Sequence, residues 1–153
     1  MNTTNRRNAT HTSFSVHITY DLSLAELVAR QRMKSREREQ VIENLYDHEN
    51  ALETMEDRAV TIELFHPTND VELKSVLHDI GRWGRPATFR EVMALCSSNP
   101  ELRQSVCVIR RPHLNRCSVA LAYWLDGAWR LACFALGRIW LTSYSAGFAY
   151  VRT

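Results

Sequence analysis

A chain of 153 residues, 45% of them hydrophobic and 24% charged, has the composition of one globular domain able to bury a core. Its longest apolar stretch, residues 128–141, is broken by Arg130, Gly137 and Arg138 and falls short of the roughly 18 apolar residues of a membrane-spanning helix. The net charge is +2 but uneven: residues 1–100 carry 12 basic and 15 acidic groups, whereas residues 101–153 carry seven arginines against Glu101 and Asp126.

Residues 1–12 are polar and aperiodic, with no apolar signal-peptide core, and are expected to be a disordered tail before a single domain over 13–153. The default location is therefore the cytoplasm, with surface display by another route left open. From Phe14 the chain alternates. Phe14, Val16, Ile18 and Tyr20 fall on one face and Ser15, His17 and Thr19 on the other, which predicts a half-buried strand. Ser23 and Glu26 have the spacing of a capping box and start a helix to about Arg32. Residues 34–57 mix charges around Val41, Ile42, Leu45 and Tyr46 at helical spacing, which predicts one or two exposed helices.

Residues 60–65 (VTIELF) predict a second strand, ended at His66-Pro67 because proline cannot continue a ladder. Asn69 or Asp70 is then expected to cap a helix with Val71, Val76, Leu77 and Ile80 on one face, closed by Gly81. A loop over 82–87 leads to a second capping box, Thr88 with Glu91. The short helix that it starts carries Phe89, Val92, Met93 and Cys96 and stops before Asn99-Pro100.

Beyond Ser105 the signal is β throughout. A strand over 106–109 and a polar loop over 110–116 precede a strand over 118–124. That strand has Val119, Leu121 and Tyr123 on one face and Ala120, Ala122 and Trp124 on the other. Asp126-Gly127 predicts a tight hairpin into a return strand over 129–136. A turn at Gly137-Arg138 and strands over 139–144 and 147–152 complete the chain. Helices within the first two thirds and antiparallel strands after them make the fold class α+β.

Motifs for catalysis are missing: there is no G-x-S-x-G, P-loop, H-E-x-x-H or EF-hand loop. The four cysteines, Cys96, Cys107, Cys117 and Cys133, form no C-x-x-C pair and are expected to pack as small hydrophobes. Cys107, His113 and Cys117 lack finger spacing and a fourth ligand, so neither a metal nor another cofactor is expected. A small Cys/His hydrolase built from Cys107 or Cys117 with His113 is one alternative function. It wants a third group to orient the histidine. The seven arginines of residues 101–153, set with eight of the fourteen aromatics, make a nucleic-acid-binding module the other.

One segment is specific: GRPATFREVMAL, residues 84–95. It is similar to the RPAT-x-x-E-L-L-A-L stretch of small proteins common in candidate-phyla bacteria. In register with it, residues 14–28 resemble that family's opening strand and helix, residues 60–66 its second strand, Asn99-Pro100-Glu101-Leu102-Arg103 its YPELQ, and residues 147–152 its closing RFLAVR. The family resembles the variable proteins of diversity-generating retroelements, in which an error-prone reverse transcriptase rewrites C-terminal codons of a C-type-lectin fold. That fold is related to formylglycine-generating-enzyme-like domains.

The resemblance implies a C-type-lectin-like fold whose first and last strands, over 14–20 and 148–152, pair antiparallel. It implies ligand binding without catalysis, with a protein or other macromolecule as partner. Exposed positions of a rigid scaffold can change side chain at little folding cost. The expected variable surface is therefore Arg111, His113 and Asn115 in the first loop, Tyr123, Trp124 and Asp126 near the hairpin, and Arg138, Thr142, Ser143 and Tyr144 near the last turn. Trp140 matches a family tryptophan expected in the core. The sequence departs from the pattern where Ile139, Leu141 and Ala146 stand in a stretch often rich in Asp, Asn, Gly and Tyr, and it has no lectin calcium motif.

Overall fold

The computed structural model describes residues 3–5, 9–19, 26, 57–109, 117–136, 139–140 and 146–153. Within these residues the elements run β1 (Thr3–Asn5), β2 (Ala9–Ile18), β3 (Arg58–Pro67), β4 (Val71–Glu72), α1 (Leu73–Trp83), β5 (Gly84–Pro86) and α2 (Phe89–Ser98). They continue with β6 (Ser105–Ile109), β7 (Cys117–Leu125), β8 (Ala128–Leu136), β9 (Ile139–Trp140) and β10 (Ala146–Arg152). The fold is α+β. A main sheet runs β1-β2-β3-β10-β6-β7-β8, with β5 also on β10, and it curls into a half-barrel. All its pairings are antiparallel except that of β10 with β6.

Period-two alternation gives this sheet two apolar faces. Phe14, Val16, Ile18, Ile62, Leu64, Val106, Val108, Ala149 and Val151 pack with Phe89, Val92, Met93, Leu95 and Cys96 of α2. The residues between them in sequence, Phe65, Cys107, Ile109, Phe148 and Tyr150, pack with Leu73, Val76 and Ile80 of α1. Each helix thus seals one face, and the central strands read as continuous burial.

That two-sided burial corrects the expected pairing of the first and last strands. β2 and β10 share the sheet, but β3 lies between them, with Phe14 opposite Ile62 and Val151 opposite Ile62 on the far side. Ile62, Glu63, Leu64 and Phe65 are all buried, so β3 suits a central place with a neighbour on each edge. β2 exposes Ser15 and His17 and sits one strand further out.

Part of the segment expected as a tail is ordered strand: Thr3–Asn5 pairs with Thr10, His11 and Thr12, and β2 begins at Ala9. His11 anchors it. Its Nδ1 lies 2.9 Å from the Tyr150 hydroxyl, which donates to Glu63, and all three side chains are buried under Phe65 and Trp83. Ser13 adds a hydroxyl to Glu63 at 3.0 Å.

The first helix after β3 also starts and stops later than its pattern suggested. Val71-Glu72 pair with Ile139-Trp140 as β4 and β9, and Glu72, without a side-chain cap, precedes the helix. Gly81 lies inside α1, and the helix ends at Gly84. Gly84 is there for close approach, because a Cβ would come within 1.9 Å of the Val151 carbonyl oxygen, across the β5–β10 pairing that replaces the expected loop.

The second capping box forms as expected. Thr88 Oγ1 accepts from the Glu91 amide at 3.2 Å, and the Glu91 carboxylate accepts from the Thr88 amide at 2.8 Å. Of the helix expected over 23–32 only Glu26 is described, and it is helical; the helices expected within 34–57 and the turn at Gly137-Arg138 lie outside the described residues.

Candidate binding surface at the hairpin end of the sheet

Asp126-Gly127 turns β7 into β8 with both residues at positive φ, 52° and 77°, the conformation that a two-residue type I′ turn requires. The turn sets Trp124 opposite Trp129 and Leu125 opposite Ala128. On the α2 face, Trp129 is buried and Trp124 meets it edge to face, with centroids 5.6 Å apart and planes at 81°. Leu125 is 46% exposed beside them.

The other wall comes from the turn after α2. Leu102 is buried and its amide donates to the Asn99 carbonyl at 2.9 Å, which fixes the chain just before Arg103. Arg103 Nη1 donates to the carbonyls of Pro100 and Leu102, the latter at 3.0 Å. Its guanidinium then lies over the Trp124 ring, 3.9 Å from the centroid, a cation–π contact. Next to it, His66 at the end of β3 meets Gln104: Nε2 lies 2.7 Å from Oε1. Burial pulls the His66 pKa down, against the opposing pull of the Gln104 contact.

The register divides the expected surface. Arg58, Ile109, Cys117, Leu136 and Arg152 stand at one end of the sheet. Pro67, Ser105, Leu125, Ala128 and Ala146 stand at the other. The nine residues of β7 separate these ends by roughly 27 Å. Trp124 and Asp126 belong to the hairpin end. Tyr123 belongs to it too, but alternation turns it to the α1 face, where it pairs in register with Arg130. Arg111, His113, Asn115, Arg138, Thr142, Ser143 and Tyr144 lie outside the described residues. Ile109 and Cys117, which flank 110–116, and Leu136, which precedes 137–138, are at the far end from the hairpin, and Ala146, which follows 141–145, is at the near one.

His66 and Gln104 were not among the expected residues, and Arg103 was expected only as one of the seven arginines of the nucleic-acid-binding alternative. Arg103 is 21 positions from Trp124 in sequence, and no periodicity links a helix-following turn to a hairpin. The parallel pairing of β10 with β6 is what brings the end of β3 beside Gln104.

Other chemistry-bearing groups are enclosed. Burial pushes the Cys96 thiol up to about 12, and pushes Cys107 higher still. Both therefore stay protonated at neutral pH, and Cys107 as a nucleophile would lack both charge and access. Among the described residues no three His, Cys, Asp or Glu side chains converge as a metal site. Comparisons with protein-family models, curated proteins and solved structures returned no match to this chain.

Proposed function

We propose that this chain is a binding protein that presents Trp124, with Arg103, Leu125 and Asp126, to a macromolecular partner. We further propose that it is a retroelement-diversified variable protein of the C-type-lectin type. The Arg103–Trp124–Trp129 stack is the observation that carries the binding part. An aromatic already held between a guanidinium and a buried indole loses little freedom on binding and offers a large contact area, as interface anchors do. The diversified-protein part rests on the resemblance over residues 84–95 and not on strand order, since β3 intervenes between β2 and β10.

Sequencing the gene from many cells of one culture tests that part. Substitutions are expected to cluster in the codons for residues 111–144 and to spare those for 84–95. An even spread, or no variation, would overturn it.

Arginine on an aromatic also suits a nucleic-acid base and its phosphate, so single-stranded nucleic acid is the second reading. Tryptophan fluorescence during titration with oligothymidylate separates the two. Saturable quenching that falls steeply with salt and disappears in Trp124→Ala favours nucleic acid. No quenching is expected.

A further inference from the structure

At the end of the sheet far from the Trp124 hairpin, the start of β3, strand β5 and the end of β10 border a groove of about 420 Å3. Arg58, Arg85 and Arg152 line it, and no carboxylate side chain does. The three arginines differ in what already holds them. Arg85 makes two 2.8 Å bonds to the two carboxylate oxygens of Glu91, which fixes its guanidinium at the groove wall. Arg152 is 54% exposed and stands 3.5 Å from Glu63, a carboxylate that also accepts from Ser13 and Tyr150. Among the described residues Arg58 has no carboxylate within ion-pair distance, and its Nε is a buried donor without an acceptor.

A buried donor left without an acceptor is costly, and here it belongs to a cation beside an open, arginine-lined groove. The groove is within the size range of small-ligand sites. A planar carboxylate is satisfied by one guanidinium fork, as Glu91 is by Arg85. A tetrahedral group presents oxygens in several directions and can accept from arginines on different strands at once.

We propose that this groove binds the phosphoryl group of a small molecule, which gives Arg58 its acceptor and draws Arg152 away from Glu63. The site is independent of the hairpin surface and does not rest on its function.

Thermal melts in inorganic phosphate, against sodium chloride at matched ionic strength, test it. Phosphate is expected to raise the Tm saturably, and acetate much less. Arg58→Gln should weaken the apparent affinity by about tenfold, the loss of one charge-assisted bond, and Arg152→Gln by a smaller factor. Arg82→Gln, on the exposed part of α1, should leave it unchanged. Amide shifts on adding phosphate should centre on Thr61 and Val151, and Arg58→Lys serves if the glutamine variant does not fold. A Tm no higher in phosphate than in chloride, equal effects of acetate and phosphate, or wild-type affinity in both Arg58 variants would each overturn the proposal.

Discussion

Thr88 and Glu91 each do two things at once. Thr88 caps α2, and Glu91 closes the box while holding Arg85 at 2.8 Å. Thr88→Ala should cost about 1 kcal/mol in urea unfolding, the ordinary value of a lost cap. Burial pushes the Glu91 carboxyl up. The Arg85 bonds and charge and the two Thr88 bonds more than offset this, holding it below the ordinary value near 4.5. A depressed folded-state pKa adds stability above the unfolded value, and that stability is lost as pH falls through the folded one. The stability gap between the wild type and Glu91→Gln should therefore be constant above about pH 5.5 and shrink in acid below pH 4.5. A gap that widens in acid would reverse the assignment. Two glycines three positions apart should behave oppositely. Gly81→Ala meets nothing within 4 Å on a helix and should stabilise by up to about 1 kcal/mol. Gly84→Ala runs into the Val151 backbone and should cost about 2–4 kcal/mol.

Among the elements, the β7–β8 hairpin is both the most predictable and the one whose residues have divided duties. Asp126 sits at φ 52°, where Asp and Asn are tolerated and β-branched residues are strained. Asp126→Asn should therefore leave the melting temperature nearly unchanged, and any loss of partner binding in that variant reports recognition. Asp126→Val should lower the melting temperature on its own, by the strain of about 1–2 kcal/mol. Comparing the two by thermal melt separates turn chemistry from contact chemistry. β2 shows the opposite case. Nothing in ATHT marks a strand start, yet His11 is buried against Tyr150 and Glu63. Alternation from Phe14 identified the strand but not its beginning, because the residues before it are polar and are paid for only by partners 52 and 139 positions away.

At the scale of the whole molecule, the described residues place one helix on each face of the sheet and leave its two ends uncovered by either helix. The hairpin end carries Arg103 over Trp124, and the other carries the Arg58–Arg85–Arg152 groove. No helix among the described residues is long and apolar enough to cross a membrane. Cys96 lies in the α2-face core and Cys107 in the α1-face core, so their labelling reads out both cores together. With a thiol reagent at neutral pH and peptide mapping, both should label only at the rate of global unfolding, and in parallel. Fast labelling of either one in native buffer would show that its face opens locally.

The sequence by itself determined what short-range physics controls. Thr88-Phe89-Arg90-Glu91 specifies a helix start because both capping partners lie within four residues. Asp126-Gly127 specifies its turn because positive φ at two successive positions admits few residue types. The alternation of Val119 to Trp124 correctly sent Tyr123 and Trp124 to opposite faces. Only the tertiary structure decided which strands became neighbours. Ile62 to Phe65 and residues 146–151 are buried on both sides, and a strand of that kind carries no mark of its partner's identity. The placing of β3 between β2 and β10, and of β6 parallel to β10, therefore had to come from packing α1 and α2 against opposite faces. The same packing brought Arg103 onto Trp124 and the three groove arginines onto one end. Those contacts join residues whose separation along the chain has no period, and burial and register alone bring them together.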